Sequence, residues 1–162
     1  MEIRPAKIEE SDILTSISFQ SKKYWGYPDH FFEVWKNELT ISTDYIRRNR
    51  VFVFEDKRVI RGYYSIVYLE NDLDVSGVVI SKGHWLEHMF ISPDFIGKGI
   101  GTKLFDHLKK ICTENKITRI GILSDPNARG FYEKMGYRYI KEYPSTIPNR
   151  TTPFLVLMLQ PE

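Results

Sequence analysis

The sequence has little of three features that would each point to a particular kind of protein. It has one cysteine, Cys112, which cannot form a disulfide within the chain and is typical of a reducing compartment. No apolar run approaches the ~20 residues of a membrane span, and the opening MEIRPAKIEE lacks the apolar core of a signal peptide. The net charge of +2 is too small to indicate nucleic acid or a membrane surface as a partner. We therefore expect a cytoplasmic protein that binds neither.

The length and the alternation of patterns indicate one α/β domain. At 162 residues the chain can bury a substantial core, and its apolar and charged fractions are ordinary for a globular protein. Strand-type and helix-type segments follow in the order β, α, α, β, β, β, α, β, α, β, β. The clearest helix runs from Thr102 to Asn115, with apolar residues on one face. We predict a single domain over residues 1–162.

The most informative segment runs from Trp85 to Thr102 and reads WLEHMFISPDFIGKGIGT. It predicts a strand, a glycine-rich loop and the start of a helix. The first N–H groups of a helix have no partner within the helix, and the helix dipole makes that end partly positive, so phosphate oxygens bind there. Gly97, Gly99 and Gly101 allow a close approach of backbone to ligand, and Lys98 adds positive charge. The alternative is a glycine-rich turn that only reverses the chain.

The spacing of the glycines separates three kinds of phosphate-binding loop. A Walker loop requires Ser or Thr after its lysine, but Lys98 is followed by Gly99. A dinucleotide fingerprint requires a third glycine at the position of Thr102, so a dinucleotide-binding protein stays open only as a weaker alternative. The third kind is motif A of the GNAT-type N-acetyltransferases, which the loop resembles. In that motif Arg or Gln is followed by two residues, Gly, one residue, and Gly or Ala.

The glycines of the loop match motif A, but the residue at the first position of the motif does not. Gly99 and Gly101 stand at the glycine positions, and Ile96 stands where Arg or Gln is usual. Since Ile cannot donate to a pyrophosphate, the resemblance implies a ligand held by backbone N–H groups and lysines. A second segment, SDPNARGFYEKMGYRYI from Ser124 to Ile140, resembles the family segment in which an Asn precedes a helix with Phe-Tyr and a closing Gly-aromatic pair. Its matching residues are Asn127, Phe131, Tyr132, Gly136 and Tyr137.

The resemblance implies a fold and a cofactor site. The fold would be the GNAT fold, an α/β arrangement with a mixed sheet of about seven strands and about four flanking helices. The co-substrate would be acetyl-CoA, with its pantetheine arm beside one strand and its pyrophosphate in the glycine loop. The cofactor-binding residues implied in this way are Met89, Phe90, Ile91, Gly97, Lys98, Gly99, Ile100, Gly101, Thr102 and Asn127.

The resemblance also implies catalytic and substrate-binding residues. Tyr132 would lie near the sulfur as general acid, and Glu87 would act as general base through water, although a solvent-facing strand carboxylate is an equal alternative for Glu87. Trp25 and Tyr27 lie between the first two predicted helices, where the family borders its acceptor site, and packing is an equal alternative for both. Acetyl transfer to an amine needs no enzyme nucleophile, because a thioester is already activated.

One motif is rejected as a metal site. His84, Glu87 and His88 spell the inverted zinc-protease signature HxxEH, which works only on a helix. On the predicted strand, His84 and His88 would lie about 13 Å apart, too far to share one zinc ion. We expect no metal.

The resemblance implies an N-acetyltransferase that transfers an acetyl group from acetyl-CoA to a primary amine of a small molecule or peptide by direct attack. A catalytically silent acyl-CoA-binding sensor is the alternative, because Ile96 departs from the motif and the base is uncertain. An exposed edge strand near the C-terminus would allow pairing, so a monomer or a homodimer is expected.

Overall fold

The computed structural model describes residues 1–75 and 77–160 and contains nine strands and five α-helices within those ranges. The strands are β1 (Glu2–Pro5), β2 (Arg50–Asp56), β3 (Val59–Leu69), β4 (Leu73–Val75), β5 (Val78–Ile80), β6 (Gly83–Ile91), β7 (Arg119–Leu123), β8 (Arg138–Pro144) and β9 (Thr151–Met158). The helices are α1 (Ser11–Lys23), α2 (Asp29–Leu39), α3 (Thr43–Arg48), α4 (Ile100–Glu114) and α5 (Arg129–Lys134). No helix in the described ranges has the length and apolar character needed to cross a membrane.

Seven strands form one mixed sheet in the order β1-β2-β3-β6-β7-β9-β8, and β4 pairs with β5 in a separate hairpin. The β6–β7 pair is parallel, and α4 is the crossover helix between these two strands, as a strand-helix-strand unit requires. The predicted fold class is therefore confirmed. Sequence reasoning missed α3 and β4, which have six and three residues and show no clear period.

The chain divides into two compact units, Met1–Ile66 with His88–His107 and Val67–Glu87 with Leu108–Glu162. In the first unit, β1, β2 and the first part of β3 form an antiparallel ladder. Apolar side chains of α1, α3 and the ladder bury one another in a core. Its buried members are Leu14, Ile17, Ile41, Ile46, Val51, Val53 and Tyr63.

The second unit is built on the antiparallel ladder of β7, β9 and β8. Its core includes Trp85 of β6 with Phe154 and Val156 of β9. Trp85 pairs with Gly121 of β7, and a Cβ at Gly121 would lie 2.9 Å from the Trp85 ring. Only glycine therefore fits at this position without a shift of the indole.

Candidate active site

The strand that carries the predicted site, β6, runs without interruption from Gly83 to Ile91. The strand prediction for the HxxEH segment is therefore confirmed, and His84 and His88 lie on a strand rather than on one helical face. Within the described part of the chain, no group of three or more His, Cys, Asp or Glu side chains is arranged to hold a metal ion.

The glycine loop in the first unit has the geometry that the sequence predicts. After β6, a 3-10 turn at Pro93–Phe95 leads to Gly97 and Gly99, whose φ angles are +80° and +83°. Only glycine adopts such angles at little cost, so both are required by the backbone. A Cβ built on either would meet no heavy atom within 4 Å, so the space beside the loop is open. The amide of Lys103 donates to the carbonyl of Gly99, and α4 therefore begins directly after the loop.

The other predicted cofactor-binding residues of this unit lie at the end of β6, in the loop and at the start of α4. Met89, Phe90 and Ile91 are half-buried at the end of β6, and Ile100, Gly101 and Thr102 form the first turn of α4. The helix start thus presents its first amides at the loop, which is the arrangement that favours a phosphate. Lys98 is exposed within the loop, 4.8 Å from the centre of the Phe95 ring.

Trp25 and Tyr27 lie in the connection between α1 and α2, as predicted. Trp25 is 41% exposed and packs edge to face with Tyr24 at 5.0 Å between ring centroids. Tyr27 is half-buried and packs against the Trp35 ring at 5.0 Å. Trp25 therefore has more surface open to a ligand than Tyr27, whose ring packs on the aromatic face of α2.

Sequence reasoning missed the buried contacts of His88, which lies on β6 next to the predicted cofactor-binding residues. His88 is 6% exposed, and its Nδ1 lies 2.9 Å from Ser65 Oγ and 3.1 Å from Tyr45 Oη. Its Nε2 donates to the carbonyl oxygen of Glu38 at 2.7 Å, because a carbonyl can only accept. His88 thus connects α2, α3, β3 and β6. Its partners lie 23 to 50 residues away in the sequence, so no local pattern could reveal them.

In the second unit, Tyr132 lies on α5 and is 4% exposed. Burial raises the pKa of its hydroxyl well above the usual value, and the negative charge of Asp125 raises it further. Tyr137, 5.5 Å away between ring centroids, has a pKa raised by burial in the same way. Tyr132 therefore keeps its proton at neutral pH.

Asn127 lies in the 3-10 turn that precedes α5 and is exposed. Its backbone amide donates to Asp125 Oδ1 at 2.8 Å, and its side-chain Nδ2 donates to the same oxygen at 3.1 Å. Asp125 also lies 3.9 Å from Arg150 Nη2. Asp125 thus fixes the turn that carries Asn127. The Asp-Pro-Asn sequence is typical of a capped helix start, and this signal could have identified the role of Asp125.

Glu87 belongs to the second unit and is exposed on β6. Successive side chains of a strand point to opposite faces, so Glu87 and the buried His88 point in opposite directions.

A groove of about 290 Å³ in the same unit is lined by Lys82, Gly83, His84 and residues 116–119, and none of the predicted site residues lines it.

Comparison with known proteins agrees with this geometry. Residues 42–145 match the sequence model of the acetyltransferase (GNAT) domain. A GCN5-related N-acetyltransferase from Rhodopseudomonas palustris has a similar structure, with a TM-score of 0.75 and 17% identity over 98% of this chain and 95% of that one. No curated protein matches the chain.

Two further solved structures, both of N-acetyltransferases, are similar to this chain. The PaiA N-acetyltransferase from Thermoplasma acidophilum, in complex with coenzyme A, has a TM-score of 0.75 and 18% identity over 97% of this chain and 98% of that one. The ribosomal-protein-S18-alanine N-acetyltransferase from Escherichia coli has a TM-score of 0.67 and 13% identity over 98% and 93% of the two chains. Because the matching model covers more than half of the sequence and the fold agrees, the chain belongs to the GNAT acetyltransferase family.

Proposed function

We propose that the protein transfers an acetyl group from acetyl-CoA to a primary amine of a small molecule or peptide. The observation that carries the proposal is the loop after β6, where Gly97 and Gly99 with positive φ open directly into α4. This arrangement aims helix N–H groups at an open space, which suits the pyrophosphate of coenzyme A. The PaiA structure, which holds coenzyme A on a similar fold, supports the choice of ligand.

The residues that would hold acetyl-CoA fall into two groups. In the first unit, the backbone of Met89, Phe90 and Ile91 would run beside the pantetheine arm, and the glycine loop with Lys98 would bind the pyrophosphate. In the second unit, Asn127 would bond the pantetheine arm from a turn that Asp125 fixes. Acetyl-CoA supplies an activated thioester, so alignment with the amine is the main requirement of the reaction.

Two side chains would move protons. The attacking amine must lose a proton, and Glu87, exposed on β6, would accept it through water. The leaving sulfur gains negative charge as the carbon–sulfur bond breaks, and Tyr132 would donate its proton there. This role needs a hydroxyl that still holds its proton at neutral pH, and Tyr132 does. Trp25 and Tyr27 would line the acceptor site.

Calorimetric titration with acetyl-CoA, with NADH as the control ligand, tests the proposal first. We expect the wild type to bind acetyl-CoA but not NADH, and Gly99→Val to abolish binding because valine is strained at a φ of +83°. Asn127→Ala should weaken binding, whereas Asn37→Ala, which removes an exposed asparagine of α2, should not. Absence of acetyl-CoA binding by the folded wild type would refute the proposal.

Release of free thiol from acetyl-CoA in the presence of a panel of amines, amino acids and peptides tests catalysis. We expect at least one amine to accelerate the release, and Glu87→Gln to slow it about 100-fold, the contribution typical of a general base. Binding without acceleration by any amine would favour the acyl-CoA sensor.

A further inference from the structure

Arg61 of β3 lies beside the glycine loop with a buried donor that has no protein acceptor. Its Nε is buried and has no hydrogen-bond partner within residues 1–75 and 77–160. No carboxylate of the described residues forms an ion pair with its guanidinium. A buried donor or charge without a partner is costly, so native proteins almost always satisfy such groups. The Nε–H of Arg61 is therefore a buried donor that no acceptor of the described residues satisfies.

A β-bulge sets the direction of this side chain. Across the β2–β3 ladder, Phe54 pairs with Gly62 and Glu55 pairs with Ile60, so Arg61 is the extra residue of the pair. A bulge re-aims the side chain of the extra residue, and bulges are common next to active sites. The irregularity in β3 thus directs Arg61 away from the regular alternation of the strand.

The guanidinium of Arg61 lies over the ring of Phe95, the last residue of the 3-10 turn before the glycine loop. Its Cζ is 4.2 Å from the centre of the Phe95 ring, and Nζ of Lys98 is 4.8 Å from the same centre. The carbonyl of Arg61 also accepts from the amide of Ser92 at 2.8 Å, which fixes β3 to the segment that follows β6. Two cations therefore flank one ring immediately before Ile96, whose side chain has no donor.

We propose that Arg61 is a phosphate-binding residue of the glycine-loop site and contacts the pyrophosphate of acetyl-CoA. This inference rests on the proposed function. Stacking on Phe95 holds the planar guanidinium in place, so little conformational freedom is lost when its N–H groups bind phosphate oxygens. The loop would then have a guanidinium from Arg61 of β3, in place of the Arg or Gln side chain that is usual at the position of Ile96.

The test compares variants that separate charge from packing. Arg61→Met keeps an unbranched chain of similar length over Phe95 but has no donor and no charge. Arg61→Lys keeps the charge without the planar fork. Arg47→Met removes one positive charge from an exposed position of α3 and serves as the matched control. Circular dichroism and thermal melting confirm that each variant is folded.

The Kd of each variant is measured by titration calorimetry with two ligands, coenzyme A and dephospho-coenzyme A. The second ligand lacks only the 3′-phosphate. We expect Arg61→Met to raise the Kd of both ligands about 10- to 100-fold, the range expected for one hydrogen bond to a charged group. Arg61→Lys should recover part of this loss, and Arg47→Met should bind like the wild type.

Two results would overturn the inference while leaving the proposed function intact. The first is that Arg61→Met binds coenzyme A within twofold of the wild type. A loss for coenzyme A but not for dephospho-coenzyme A would assign Arg61 to the 3′-phosphate. Failure of the wild type to bind either ligand would instead refute the proposed function, and this inference with it.

Discussion

Replacement of Gly121 by alanine tests how closely β6 and β7 must pack. A Cβ at this position would lie 2.9, 3.0 and 3.2 Å from three atoms of the Trp85 ring, closer than the 3.5–4.0 Å at which carbon atoms attract. The ring has little room to move, because Trp85 is 5% exposed and packs against Phe154 at 5.4 Å between centroids. The added methyl group therefore forces a shift of the ring or of the β7 backbone.

The expected cost is that of overpacking a close-packed core, about 1–3 kcal/mol of the free energy of unfolding. For a chain of this length, 1 kcal/mol corresponds to roughly 2–4 °C in Tm, so Gly121→Ala should lower Tm by roughly 2–12 °C. Thermal melting followed by circular dichroism, together with urea denaturation, measures both quantities.

Gly130→Ala is the matched control, because Gly130 lies in α5 and a Cβ there would meet no heavy atom within 4 Å. Its backbone is helical, so alanine should stabilise the protein by about 0.4–1 kcal/mol. If Gly121→Ala were neutral or stabilising while Gly130→Ala behaved as expected, the contact between Trp85 and β7 would not limit the residue at position 121.

Three further predictions concern the candidate site. Tyr132→Phe should lower kcat about 100-fold or more with little change in the Kd of acetyl-CoA, because only the hydroxyl is lost; an unchanged kcat with chemistry rate-limiting would contradict the role of general acid. The raised folded-state pKa of Tyr132 contributes stability that is fully present below about pH 10, the unfolded value, and is lost as the pH rises further. Urea denaturation between pH 9 and pH 11 should therefore show a shallower loss of stability for Tyr132→Phe than for the wild type, and parallel curves would contradict this linkage. His88→Leu should cost about 2 kcal/mol or more, because polar groups of Glu38, Tyr45 and Ser65 lose a buried partner; a urea-denaturation cost below about 0.5 kcal/mol would show that they find others.

The parts of the site that depend on local sequence could be predicted. The strand, loop and helix start around Gly97 and Gly99 follow from residues within one segment, since glycine alone tolerates the positive φ angles found there. The turn and helix that carry Asn127 and Tyr132 also follow from a local pattern of Asp-Pro-Asn and helical spacing. The mixed sheet of about seven strands followed from the resemblance to the GNAT family, whereas the three-residue strand β4 was not predicted. That residues 1–162 form one domain stays a prediction.

The features that sequence reasoning missed depend on contacts between distant segments. His88 reads as one residue of a strand, and its buried polar contacts exist only because α2, α3 and β3 pack around it. Arg61 reads as an ordinary strand residue, and its relation to the loop depends on a shift of register between β2 and β3. A register shift changes which face a side chain occupies without changing the local composition. The departure at Ile96 marks where a donor is missing from the loop, but only the three-dimensional structure identifies Arg61 as a side chain that can replace it.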